Sequence, residues 1–127
     1  MNRQLENYEI ESLAKAAHEV NRAYCEAMGD NSHLSWDATS PELKAVAKQA
    51  CIGIAMQDHN EEQSHEAWVA IKRSQGWNFG DKKDDKLKTH PCLTSFANLP
   101  IEQQVKDRLW VATVKNMTDA FWKIPRQ

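Results

Sequence analysis

The sequence predicts a mainly α-helical domain of four helices, with a long irregular insert or a short β-hairpin between the last two helices. Apolar residues recur every three or four positions in four segments, and helix-capping residues precede these segments. A charged stretch of residues, 76–93, separates the third and fourth segments and lacks this periodicity. Because 127 residues is the length of one ordinary domain, we predict a single domain over residues 1–127.

The first helix is predicted over residues 8–28, where apolar and small side chains form one stripe, and Gly29 marks its end. Ser40 and Pro41 predict the start of the second helix, as an N-cap residue followed by a first-turn proline. The predicted buried face of this second helix consists of Leu43, Val46, Ala47, Ala50 and Ile54.

Asn60 and Gln63 have the spacing of a capping pair, which predicts the start of a third helix that ends at Gly76. Lys72 and Arg73 are assigned to the polar face of this helix. The insert that follows contains the aromatic residue Trp77 within a charged sequence, which indicates a folded segment instead of a disordered linker.

Pro100 and Glu102 mark the start of a fourth amphipathic helix, and Pro125 marks its end. A short hairpin in the insert would pair residues 77–79 with residues 93–95. Gly80 and the preceding Gly76 are expected to permit a positive φ beside the large rings of the insert.

Two segments of the chain echo each other. Residues 18–29 (HEVNRAYCEAMG) and 65–76 (HEAWVAIKRSQG) share His, Glu, Ala and Gly at an offset of 47 residues. The echo predicts two helix–loop–helix units, residues 1–60 and residues 61–121, packed about a pseudo-twofold axis. The second unit has the longer connector.

Composition excludes several classes of function. The net charge of −2 argues against a surface for long nucleic acids or for anionic membranes. The three cysteines form no CxxC pair, and no apolar run has the length of a membrane span. With no signal-peptide pattern at the start, we expect a cytoplasmic protein with reduced thiols, without a metal or a cofactor.

The second half of the chain carries a set of motifs in a fixed order: His65-Glu66-Ala67-Trp68, Gly76-Trp77-Asn78-Phe79-Gly80, Lys83-Asp84-Asp85, His90-Pro91-Cys92-Leu93, and Phe96 with Leu99-Pro100. This order resembles the ryanodine-receptor repeat, the RyR domain, over residues 61–121. Residues 1–60 resemble the front end of small standalone RyR-domain proteins of phages and bacteria. Lys72 and Lys83 stand where receptor repeats often carry arginine, so bidentate phosphate contacts are not expected there.

The resemblance implies a non-enzymatic binding domain, because paired repeats of this family are associated with adenine nucleotides in the cleft between them. It implies a small nucleotide-derived ligand, with a role in sensing or sequestering a nucleotide signal in phage–host conflict, and a homodimer that rebuilds the paired-repeat cleft. The implied ligand-binding residues are Trp68, Lys72 and Lys83, and Trp77 and His90 of the insert complete the predicted set.

Two other classes of function remain open at the sequence level. In a protein–protein interaction module, Trp36, Trp77 and Trp110 would form an exposed apolar patch. In a small enzyme, His90 would activate the Cys92 thiol as a nucleophile. The residues alone also allow a purely structural interpretation, in which Trp68 belongs to the core and the lysines are solvated.

Overall fold

The computed structural model describes residues 4–123. The elements in chain order are α1 (Asn7–Ala27), a 3-10 turn (Trp36–Ala38), α2 (Pro41–Gln57), α3 (Glu61–Ser74), β1 (Asn78–Phe79), β2 (Thr89–His90), a second 3-10 turn (Phe96–Asn98) and α4 (Ile101–Lys123). The predicted mainly helical fold with four helices is confirmed for this range. No helix in it combines the length and apolar character needed to span a membrane. The predicted stop at Pro125 lies outside the described residues.

The helix starts follow the predicted capping residues. The Ser40 hydroxyl accepts a hydrogen bond from the Leu43 N–H at the start of α2. At the start of α3, the Gln63 N–H donates to Asn60 Oδ1 at 2.8 Å, and the Asn60 N–H donates to Gln63 Oε1 at 3.0 Å. Each pair satisfies backbone donors that the first helical turn leaves without a partner.

Two helices end where glycine adopts a left-handed conformation. Gly29 after α1 has a φ of +92°, and Gly76 after α3 has a φ of +90°. Beyond Gly76, the Trp77 N–H donates to the Lys72 carbonyl at 3.0 Å, which is the backbone pattern of a Schellman motif. The turn therefore folds the start of the insert back against the last turn of α3.

The core lies between α1, α2 and α4, with the first 3-10 turn packed into it. Its buried members are Leu13, Ala14, Ala17, Trp36, Cys51, Ile54, Val111 and Val114. The prediction that Leu43 belongs to the buried face of α2 is wrong. Leu43 lies in the first turn of α2, outside the core, and is 45% exposed. Cys51, which the prediction omitted, is fully buried.

The predicted hairpin has its first strand in the right place, within residues 77–79, but the position of its second strand and its antiparallel direction are wrong. The strands are Asn78–Phe79 and Thr89–His90, and they pair in parallel, with Asn78 opposite Thr89. Between them, an isolated antiparallel bridge joins Asp84 to Thr89. Because this bridge is antiparallel, the chain at Asp84 runs opposite to β2. The chain therefore reverses direction twice between β1 and β2, and the two strands run parallel.

The apolar residues of the insert differ in burial. Leu93 is 1% exposed and packs into the fold, whereas Phe79 is 57% exposed and does not anchor the insert. Gly76 has the expected positive φ, whereas Gly80 does not. Instead, a Cβ atom at Gly80 would lie 2.5 Å from the Thr89 Cβ atom, so the close approach of the two strands requires glycine there.

Candidate functional site

A hydrogen-bonded histidine and glutamate join α1 to the loop that follows it. His18 Nε2 lies 2.7 Å from the carbonyl oxygen of Leu34, and Glu19 Oε2 accepts a hydrogen bond of 2.9 Å from the Trp36 N–H. Since a carbonyl only accepts, Nε2 of His18 carries the proton. The His18 and Trp36 rings meet edge to face at 5.6 Å. We call these four residues the first His–Glu motif.

The same arrangement joins α3 to the end of the insert. His65 Nε2 lies 2.7 Å from the Thr94 carbonyl oxygen, and the Phe96 N–H donates to Glu66 Oε1 at 3.3 Å. The His65 and Phe96 rings are 6.1 Å apart, again edge to face. In this second His–Glu motif, each residue has the role of its counterpart in the first motif. The echo in the sequence therefore corresponds to a repeated local structure.

A cleft of about 490 Å³ is lined by both motif histidines, His18 and His65. Its walls come from α1 and the loop after it, from α3, from the insert and from α4. The charged and aromatic residues among its lining are Arg22, Asp30, His33, Trp68, Lys83, His90, Lys106, Asp107 and Trp110, besides the two motif histidines. Residues from both halves of the sequence thus line one cavity.

The wall formed by α4 was not among the predicted site residues. Gln103, Lys106, Asp107 and Trp110 all line the cleft, and their spacing of three and four residues places them on one face of the helix. This spacing is visible in the sequence. The spacing predicts an amphipathic helix, but it does not show that the polar residues on this face border a cavity.

Asp107 and His65 form an ionisable pair in the cleft. Asp107 Oδ2 lies 3.6 Å from His65 Nδ1, the ring nitrogen that does not contact Thr94. Burial raises the pKa of Asp107 to about 6, while the charges of His65 and Lys106 act in the opposite direction. The carboxyl group therefore titrates within two pH units of neutrality, unlike an ordinary exposed aspartate.

His90 is held as a neutral imidazole beside Trp68. Its Nδ1 accepts a hydrogen bond of 3.0 Å from the Cys92 N–H, so the neutral ring carries its proton on Nε2. Burial, followed by the charges of Lys83 and Lys72, lowers the pKa of His90 to about 4. At neutral pH the ring is therefore uncharged, and its Nε2–H is available as a hydrogen-bond donor.

Trp68 is packed between two imidazole rings. The His90 ring meets it edge to face at 5.1 Å, and the His65 ring lies at 5.7 Å with a tilt of 32°. Trp68 lines the cleft together with Lys83 and His90, so three of the five predicted ligand-binding residues come together there. The other two predicted residues pair with each other.

Lys72 of α3 and Trp77 of the insert make a cation–π contact across the turn between them. The Lys72 ammonium nitrogen lies 4.8 Å from the Trp77 ring centroid, and the lysine is only 8% exposed. The assignment of Lys72 to a polar helix face is therefore wrong, since the indole covers it. Burial, then the charge of Lys83, lowers the pKa of Lys72. Neither Lys72 nor Trp77 is among the residues that line the cleft.

The paired His–Glu motifs and the cavity that both border define the protein as a small helical repeat domain. The RyR domain model matches residues 53–126, more than half of the chain, and covers α3, the insert and α4. The chain belongs to the RyR domain family. The resemblance carried by the His65-to-Pro100 motifs is thus confirmed.

Proposed function

We propose that this protein is a non-enzymatic binding domain whose cleft takes a small, nucleotide-like anion. The observation that carries the proposal is the set of cations at one cavity: Lys83 and Lys106 line the same cleft as His90 and Trp68. This positive region belongs to a protein of net charge −2, and it borders a cavity within the size range of small-molecule sites. Membership of the RyR domain family supports a binding role.

The five predicted residues take different parts in this proposal. The phosphates of the ligand lie near Lys83 and Lys106, both of which line the cleft, and His90 donates a hydrogen bond from Nε2. Trp68 presents its remaining ring surface to the base. Lys72, buried against Trp77, contributes its charge without direct contact. The finer role that we propose is to sense or sequester a nucleotide signal in phage–host conflict.

The protonation states of His90 and Cys92 support binding over catalysis. A reactive cysteine needs a lowered thiol pKa, and a partner histidine that can hold a positive charge. Burial instead raises the pKa of the Cys92 thiol, and burial also lowers the pKa of His90 to about 4. Both shifts disfavour a thiolate–imidazolium pair.

Isothermal titration calorimetry with ATP, ADP-ribose and a cyclic dinucleotide tests the proposal. Lys83 and Lys86 are both exposed lysines of the insert, but only Lys83 lines the cleft. We expect Lys83→Ala to weaken binding several-fold at low ionic strength and less at high salt, because salt screens exposed charges over a distance of roughly 10 Å at 0.1 M. Lys86→Ala is the matched control. An equal loss in both variants, or no binding of any nucleotide at millimolar concentration, would contradict the proposal.

A protein partner is the second candidate function. Phe79 and Leu87 of the insert are 57% and 73% exposed, and a largely apolar groove of about 710 Å³ runs between α2 and α3. The tryptophan patch that we expected for such a module is not formed, since Trp36 is buried in the core. A double variant, Phe79→Ser with Leu87→Ser, would abolish binding to a protein partner and leave nucleotide binding unchanged.

The homodimer implied by paired repeats of the family is also a proposal. One chain already brings two His–Glu motifs to a single cleft, through His18 and His65. A ligand in this cleft would therefore contact both motifs of one chain, and a second copy would add a second such cleft. Light scattering across a range of protein concentrations, with and without nucleotide, would measure the oligomeric state.

A further inference from the structure

We propose that Cys25, Asp30 and His33 form a zinc site at one wall of the cleft. The thiol sulfur, a carboxylate oxygen and an imidazole nitrogen of these residues all lie within 4.8 Å of one another. Thiolate, imidazole and carboxylate are the three side-chain donors of protein zinc sites, and calcium or magnesium would not select the thiolate. The spacing, Cys-x4-Asp-x2-His, places the three ligands on the end of α1 and the loop that follows.

The backbone at the end of α1 brings the three groups together. Gly29 takes a positive φ, and the Asp30 N–H then donates to the Cys25 carbonyl at 2.8 Å, which folds Asp30 back over the last helical turn. Asp30 Oδ1 accepts hydrogen bonds from the Ser32 N–H at 3.0 Å and the Ser32 hydroxyl at 2.6 Å. The other oxygen, Oδ2, lies 3.3 Å from His33 Nε2.

The charges of the ligands suit a divalent cation. The Ser32 hydrogen bonds hold Asp30 Oδ1, which leaves Oδ2 facing His33 and the metal. Cys25 is 3% exposed, and a thiolate buried there without a cation would be costly. Zinc replaces the thiol proton, and the thiolate and carboxylate together balance its charge.

Asn21 is a further polar residue on the wall that carries the candidate site. It lies four residues before Cys25, so both side chains occupy the same face of α1, and both line the cleft. Asn21 Oδ1 is buried without a hydrogen-bond partner among the described residues.

This site does not depend on the proposed nucleotide-like ligand. Three protein ligands and a water form the open type of zinc coordination, in contrast to a closed structural site with four protein ligands. The metal would join the loop after α1 to the cleft wall and would present an exchangeable coordination position to the cavity.

Titration of the reduced protein with Co²⁺ tests the proposal, because tetrahedral cobalt has intense visible bands and a thiolate–cobalt charge-transfer band. We expect one equivalent to bind and Zn²⁺ to displace it. His33 is exposed, so His33→Ala should fold normally and weaken cobalt affinity by more than about tenfold. His59→Ala is the histidine control, because His59 lies outside the cluster.

Cys25→Ser should lose the charge-transfer band, whereas Cys92→Ala, the cysteine control, should retain it. Circular dichroism checks that each variant is folded, and His33→Ala keeps the test valid if the buried Cys25 does not tolerate substitution. The proposal is overturned if the wild type shows no cobalt bands, if His33→Ala binds as tightly as the wild type, or if the charge-transfer band depends on Cys92.

Discussion

The ammonium nitrogen of Lys72 lies 4.8 Å from the centre of the Trp77 ring, across the turn that ends α3. The two residues are also joined through the backbone, since the Trp77 N–H donates to the Lys72 carbonyl. A lysine this buried would normally pay a large desolvation cost, and the ring face offsets part of it. This pair fixes the first residue of the insert onto the helix that carries Trp68.

Removal of the Trp77 ring should destabilise the fold. Trp77→Ala exposes Lys72 and removes the cation–π contact together with the apolar burial of the indole, so we expect the free energy of unfolding to fall by on the order of 2 kcal/mol. Urea denaturation measures it. Phe79→Ala is the control, with an expected change of less than about 0.5 kcal/mol because Phe79 is mostly exposed. Equal losses in the two variants would argue against the contact.

Both motif histidines should contribute to stability, His65 more than His18. His65→Ala leaves the part-buried Thr94 carbonyl without its side-chain donor and should lower the free energy of unfolding by about 1–3 kcal/mol, whereas water can replace His18 at the exposed Leu34 carbonyl, so the loss in His18→Ala should be smaller. His33→Ala, measured without metal, should change it little, since His33 is exposed. A loss in His65→Ala no larger than that in His18→Ala would contradict this expectation.

The residues that mark helix ends were predictable because their signals are local. Ser40, Asn60 and Gly76 act on backbone groups within a few positions, so their spacing in the sequence is sufficient evidence. The parallel pairing of β1 with β2 was not predictable. It depends on the earlier reversal of the chain at Asp84, and two-residue strands have no readable alternation.

The candidate site was predictable only in part, for a similar reason. The motif order identified Trp68, Lys83 and His90, which meet in the cleft. Lys72 was assigned to solvent because lysine is seldom buried, and only the turn that brings Trp77 over it reveals otherwise. Asp107 was not predicted as a site residue. Burial raises its pKa, and the sequence of α4 alone does not show that burial.

Stability should depend on pH through Asp107. Below its ordinary value of 3.8 the carboxyl group is protonated in both the folded and the unfolded state and has no effect. Between 3.8 and about 6 the unfolded state releases the proton first, which progressively destabilises the fold, and above about 6 this penalty is constant. Asp107→Asn removes the ionisation.

The stability of Asp107→Asn relative to the wild type should therefore increase as the pH rises from 4 to about 6, and then level off. Urea denaturation of both proteins at half-unit pH intervals measures this difference, in which the titration of distant groups cancels. Asp85→Asn is the control, since Asp85 is an exposed carboxylate. A difference that stays constant across the interval would rule out the raised pKa.

The insert should not tolerate a side chain at Gly80. A Cβ atom there would meet the Thr89 Cβ atom at 2.5 Å, so Gly80→Ala must separate β1 from β2 and should cost about 1–3 kcal/mol of stability. Thr89→Gly removes the opposing atom. In that background the added cost of Gly80→Ala should be much smaller, as a double-mutant cycle would measure. Additive effects would exclude the close contact as the cause.

The two His–Glu motifs make the same histidine contact although the loops that they close differ in length. His18 and Leu34 are 16 residues apart, whereas His65 and Thr94 are 29 residues apart, yet both contacts are 2.7 Å long. Closing the longer loop costs only about 0.5 kcal/mol more conformational entropy, by the logarithmic dependence on loop length. We therefore expect the connector after α1 to accept an added segment as long as the insert, with the contact between His18 and Leu34 retained.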